Sequence, residues 1–159
     1  MSYLRDLMAT HARPGRVDWI GVRGARRATL VPLDRVAVTD AGLAGDHGRP
    51  GKRAVTLIQT EHLPVIAALC DGVVTPEALR RNILVSGINL AALRGRDVAI
   101  GAVTLHITGP CAPCSRMEET LGRGGYSAVR HHGGWCASVV TAGQIGLGDA
   151  VLPMAEVEE

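Results

Sequence analysis

From Arg16 onward the chain alternates short apolar runs rich in Val, Ile and Thr with breaks rich in Gly, Asp and Pro. The runs are RVDWIGV, DRVAVTD, RAVTLIQ, RNILVSG, DVAI, AVTLHITG, CASVVTAG and DAVLP. In the clearest of them Val103, Leu105 and Ile107 alternate with Thr104, His106 and Thr108, the period of a half-buried strand. His106 therefore falls on the polar face as an ordinary surface histidine. The density of such runs and their Gly-rich punctuation predict a mainly β domain, an antiparallel β-barrel that is closed or nearly closed.

Three short helices interrupt the strands. In TEHLPVIAALCDG, Thr60 is placed to cap, while Leu63, Ile66, Ala67 and Cys70 share one apolar face and Gly72 ends the helix, predicted over 61–70. Cys70 then serves as core packing. TPEALRR predicts a helix over 76–81, with Thr75 as cap and Pro76 at the first helical position, where its missing N–H costs nothing. SRMEETLG predicts a third over 116–121, with Ser115 and Glu118 spaced as a capping box and Gly122 as the stop. Ahead of the strands, YLRDLMATH predicts a further short helix that stops before Pro14 and packs on the domain as an appendage. The organisation expected is an appendage over 1–13, one barrel domain over 14–153 and an acidic tail over 154–159 that ends in EVEE.

A chain of 159 residues buries one core without needing disulfides or structural metal. No apolar run approaches the roughly 20 residues of a membrane span, and the N-terminus lacks signal-peptide anatomy, so no membrane association and a cytoplasmic location are expected. In that compartment Cys70, Cys111, Cys114 and Cys136 stay reduced and act as packing residues, metal ligands or nucleophiles. Residues 1–53 carry ten Lys or Arg against five Asp, and arginine dominates the basic set. Aromatic residues make up only 3% of the chain and no basic stripe runs along it, which argues against nucleic acid as a partner.

The chemistry concentrates in PCAPC at 110–114. Cys114 immediately precedes the cap of the third predicted helix, where unpaired N–H groups favour a thiolate, and Arg116 adds positive charge. The prolines stiffen the approach, so that Cys111 and Cys114 can face the same space. A structural zinc site completed by His131, His132 or Cys136, a thioredoxin-like CxxC pair and two inert buried cysteines are the competing readings. Two polar clusters accompany the cysteines. Arg80 and Asn82 stand where a helix hands over to a strand and are candidates for an anion-binding pocket mouth. The loop GLAGDHGRPGKRAV brings Asp46, His47, Arg49, Lys52 and Arg53 among four glycines, a composition able to wrap a phosphate. HHGG at 131–134 is either a cofactor-contacting turn or a strand connection.

Taken in order, GLAGDHG and KRAVTLIQTEHL, then RRNILVSGINL, then IGAVTLHITGPCAPCSRMEETLG, then HHGGWCASVVTAGQIGLGD, the sequence resembles the MOSC family over roughly residues 15–152. The ordered combination of R-x-N-x-x-x-S-G, the cysteine run and G-x-I-x-x-G-D carries the resemblance. It implies a β-barrel that binds or handles molybdenum cofactor or sulfur. Members include the C-terminal domain of molybdenum-cofactor sulfurases and enzymes that reduce N-hydroxylated compounds. The second cysteine of the family pair is the molybdenum ligand or sulfur carrier, which here is Cys114, and the R-x-N element near the cofactor corresponds to Arg80 and Asn82. Lys52, Arg53 and His47 complete the expected cofactor-binding set. The arginine that often precedes the ligand cysteine in the reducing enzymes is replaced by Pro113. The resemblance thus implies molybdopterin-bound molybdenum as cofactor, a small-molecule substrate, and a separate electron-transfer or cofactor-supplying protein. The other implied role is a persulfide carrier or cofactor-docking module without turnover.

Overall fold

The computed structural model describes residues 2–155, and the EVEE end of the acidic tail lies outside them. The eight apolar runs form the strands β1 (Gly15–Val22), β3 (Arg35–Thr39), β5 (Val55–Gln59), β6 (Ile83–Ser86), β7 (Asp97–Ile100), β8 (Val103–Pro110), β9 (Trp135–Thr141) and β11 (Ala150–Pro153). Three short strands that lack a readable pattern join them, β2 (Val31–Pro32), β4 (Gly42–Leu43) and β10 (Gly143–Gly146).

Seven strands close a ring in the order β1, β11, β7, β8, β9, β5, β6 and back to β1. Closure rests on the pairs Gly15 with Val151 and Arg16 with Ala150. The barrel is mixed rather than purely antiparallel, because β5 and β6 run parallel, with Leu57, Ile58 and Gln59 opposite Ile83, Leu84 and Val85. The cause is the connection between them. Helices α2 (His62–Ala68) and α3 (Pro76–Leu79) intervene and form a crossover, the connection that parallel neighbours require. The crossover also covers the outer face of these strands, and they are accordingly apolar on both faces. Val17, Leu57, Val85, Val98, Leu105 and Val151 fill the barrel. Ile58 and Leu84 point outward into a second core with Ile66, Leu79, Met117, Leu121 and Val129.

That second core fixes helices α4 (Arg116–Leu121) and α5 (Gly125–Val129) beside the crossover. The predicted helices are present, with differences at their ends. Thr75 caps α3 by accepting from Ala78 N at 3.1 Å, as expected. Thr60 does not cap α2, because its hydroxyl donates to Asp18 Oδ2 at 2.7 Å. Cys70 packs against the second core from a partly buried position, whereas Ala67 is exposed. The Ser115 and Glu118 capping box does not form. Ser115 makes no side-chain cap, and the Glu118 carboxylate accepts from Gly124 N and Tyr126 N, at 3.0 and 3.1 Å, so that it caps the start of α5 instead. Those two backbone hydrogen bonds hold its carboxyl below the usual range.

The leading helix α1 (Tyr3–Met8) buries none of its residues and is not packed on the domain as expected. Its own cap is sound, since Ser2 Oγ accepts from Arg5 N at 3.1 Å.

Candidate functional site

One end of the barrel gathers five chain segments. These are the end of β1 with the arginine run that follows it, the 46–53 loop, the α3–β6 junction, the CAPC segment after β8, and the 131–134 turn before β9.

The α3–β6 junction organises the rest. Arg80 ends α3 with a left-handed backbone, φ 60°, which breaks the helix and sends Arg80, Arg81 and Asn82 in different directions. The Arg80 guanidinium donates to Arg26 O and Ala28 O, both at 3.0 Å, and Arg23 Nη1 donates to Arg80 O at 3.0 Å. Arg81 turns inward and is 6% exposed. Its Nε donates to Gly133 O at 2.6 Å, Nη1 to Leu79 O at 3.0 Å and Nη2 to Ala112 O at 3.4 Å. One guanidinium thereby ties the 131–134 turn and the CAPC segment to the junction. Gly134, at φ 95°, lies so close to Leu57 O that a side chain would collide with that carbonyl. This explains the HHGG turn as a seat on β5.

Asn82 is 4% exposed and both ends of its amide are engaged. Its Oδ1 accepts from Thr56 N and Thr56 Oγ1 at 3.0 and 3.1 Å, and its Nδ2 donates to Gly21 O at 3.1 Å. It does not open on a pocket mouth. Instead it joins β1, β5 and β6 behind the site. Asn82→Ala should destabilise the protein by about 2 kcal/mol in urea unfolding, because buried partners lose their hydrogen bonds. Asp46 is likewise a brace, accepting from Arg23 N at 2.9 Å.

The exposed Cys114 opens on a cleft of about 280 Å³ with Arg23, Arg26, Arg27, Arg80, Ser115 and Arg116. The first turn of α4 starts at this residue, whose carbonyl accepts from Met117 N at 3.0 Å. A second cleft of about 390 Å³ is lined by Arg26, His47, Gly48, Arg49, Pro50 and Arg53. Arg26 borders both. Cys114, Arg80, His47 and Arg53 thus stand around two adjoining spaces. Lys52 borders neither cleft, and its carbonyl accepts from Thr108 Oγ1 at 2.6 Å. Three cleft arginines, Arg23, Arg26 and Arg27, escaped the sequence reading. The only hint was the run VRGARR itself.

The cleft is strongly cationic. Burial, then the neighbouring charges of Arg23 and Arg116, lower the Arg80 pKa, against the opposing pull of Cys114 and Asp46. Arg23 Nε is buried without a hydrogen-bond partner. No carboxylate lines either cleft among the described residues. An anion placed here would relieve this crowding.

Behind the cleft, Cys111 is partly buried beside the buried Cys136. A hydrogen bond from the Cys136 thiol lowers Cys111 to about 6; burial opposes this, and Arg81, Arg53 and Arg23 reinforce it. Cys136 moves the opposite way, because it keeps the shared proton and is buried next to a thiolate. Iodoacetamide labelling of Cys111, followed by peptide mapping, should rise with a midpoint at about pH 6. In Cys136→Ala the midpoint should move up, since the hydrogen-bond donor is lost.

Among the described residues no group of three or more His, Cys, Asp or Glu could hold a metal ion, which removes the zinc reading. The thioredoxin-like reading fails as well, because CAPC follows a strand that pairs antiparallel with β9 rather than opening a parallel unit. No helix among the described residues is long and apolar enough to cross a membrane.

A family model described as the MOSC domain matches residues 35–152, most of the chain. The chain belongs to the MOSC domain family. Solved structures share the fold. YuaD of Bacillus subtilis is 17% identical and superposes with a TM-score of 0.75, covering 87% of this chain and 94% of that one. YiiM of Geobacillus stearothermophilus is 17% identical with a TM-score of 0.74, over 89% of this chain and 76% of that one. YiiM of Escherichia coli is 20% identical with a TM-score of 0.66, over 91% and 72%. No curated protein matches the chain in sequence. The MOSC family is associated with molybdenum cofactor.

Proposed function

We propose that this MOSC domain binds molybdenum cofactor with Cys114 as the thiolate ligand and reduces N-hydroxylated small molecules, with electrons supplied by a separate protein. The observation that carries the proposal is the exposed Cys114 thiol at the mouth of a cleft ringed by five arginines. A thiolate is the soft donor that molybdenum takes, and an anionic pterin phosphate needs the cations around it. The donor set and the unpartnered Arg23 Nε fit such a group.

Within this reading the roles divide by position. Arg23, Arg27, Arg80 and Arg116 neutralise negative charge next to the sulfur, while His47, Arg49 and Arg53 offer a second anion subsite across Arg26. Arg81 and Asn82 hold these elements in register from behind, and neither borders the clefts. When bound, the cofactor supplies two-electron redox chemistry at the metal. The chain supplies the ligand, the charge balance and a partly enclosed cleft.

Elemental analysis of freshly purified protein tests the reading. Stoichiometric molybdenum together with pterin supports it. Sulfane sulfur on Cys114 without metal would replace it with a persulfide carrier, a role that the exposure of Cys114 also suits.

A further inference from the structure

The mechanism just proposed uses Cys114 and leaves two other thiols side by side. The register of β8 and β9 sets Gly109 opposite Cys136 and Pro110 opposite Trp135, and the next ladder bond runs from Cys111 N to Gly134 O at 2.8 Å. Cys111 and Cys136 are therefore diagonal neighbours on the same face of the antiparallel pair. Each thiol is the largest influence on the other's proton affinity, which makes the two sulfurs neighbours. Cys114, in contrast, opens on the arginine cleft.

We propose that Cys111 and Cys136 form a reversible disulfide when the protein meets a peroxide, a modification site distinct from the cofactor ligand. A disulfide needs Cβ atoms roughly 3.5–4.5 Å apart, closer than a rigid diagonal pair provides. The chain can supply the movement, because residues 111–114 carry no regular secondary structure after β8 ends. Arg81, Arg53 and Arg23 stabilise the attacking thiolate.

The step balances with the peroxide as sole oxidant. The Cys111 thiolate attacks one peroxide oxygen, the O–O bond breaks, and the departing oxygen takes a proton and leaves as water. Cys111 becomes a sulfenic acid. The Cys136 sulfur then gives up its proton and displaces the hydroxyl group as a second water, forming the S–S bond. Two thiols have lost two electrons and two protons, and an external dithiol returns both.

The site holds whether or not cofactor is bound, so its test needs no turnover. The full chain is treated with hydrogen peroxide, alkylated with iodoacetamide, digested with trypsin and mapped by mass spectrometry. Cleavage after Arg96, Arg116 and Arg130 leaves Cys111 and Cys114 on one peptide and Cys136 on another, and fragmentation separates Cys111 from Cys114. The expected product is a cross-link between Cys111 and Cys136, with two of the four thiols lost and recovered by dithiothreitol. In Cys136→Ala, Cys111 should pass to sulfinic and sulfonic acid. A bridge from Cys111 to Cys114 in the wild type, over-oxidation of Cys111 there without a bridge, or no reaction at either residue would overturn the proposal. The wild-type map decides alone if the variant does not fold.

Discussion

Replacing Cys114 with serine is expected to abolish molybdenum retention, with metal content per folded molecule falling by at least about 100-fold, the upper end of what even an outer-shell change costs. A serine hydroxyl has neither the softness nor the acidity of a thiol, and at neutral pH it is not a comparable donor to molybdenum. Reduction of N-hydroxylated compounds should disappear with the metal. Cys114 is exposed at the cleft mouth and packs in neither core, so the change should leave unfolding by urea nearly unaltered. Cys70→Ser provides the contrast. Its sulfur packs against the helical core, and the variant should lose about 1 kcal/mol of stability while keeping its metal. Molybdenum content equal to wild type in Cys114→Ser would exclude the proposed ligand.

The second large effect is expected at Arg81, a residue that borders neither of the two clefts. Arg81→Met keeps the length and apolar stem but strips hydrogen bonds from the carbonyls of Leu79, Ala112 and Gly133. Hydrogen bonds from a charged donor contribute about 1.5–3 kcal/mol each, and local relaxation recovers part of that, so a net loss of about 3 kcal/mol is expected in urea unfolding. Arg81→Lys should rescue little. An ammonium on a single stem cannot span three carbonyls in the plane that the guanidinium fork occupies. The variant should also loosen CAPC and the 131–134 turn together, which amide hydrogen exchange at those two segments would register. Stability within a few tenths of a kcal/mol of wild type would show that water replaces the guanidinium at no cost.

Much of the barrel was legible because its strands alternate. Val103, Leu105 and Ile107 are buried and Thr104, His106 and Thr108 are less so, as the pattern requires, and His106 pairs with Asp97 at 2.8 Å on the outer face. Alternation says which face is buried and nothing about the neighbour, so the parallel pairing of β5 with β6 was missed. A signal was present in the uninterrupted apolar run Ile83, Leu84, Val85 and in the helices ahead of it, the mark of a strand covered on both sides.

At the site, Cys114 and Arg80 were readable from the family pattern, and the structure brings them to one cleft. Arg23, Arg26 and Arg27 were not, because the segment that carries them is held at the cleft by Arg80, 52 to 57 positions away, which accepts from Arg23 and donates to the carbonyls of Arg26 and Ala28. The R-x-N element divided in an unforeseen way. Of three consecutive residues, Arg80 borders the cleft, Arg81 fastens two loops and Asn82 joins three strands. The left-handed turn at Arg80 creates that division, and no local propensity predicts it at an arginine.

The ladder that closes the barrel pairs residues from opposite ends of the sequence, Gly15 with Val151. The last staple of the fold is thus also among its most distant in sequence, and a chain made from its N-terminus leaves β1 without its β11 partner until nearly all of it has been synthesised. The same adjacency places the two ends of the barrel within reach of a short peptide. Joining them and reopening the chain at an exposed break such as Gly95 would turn the final closing contact into a local hairpin.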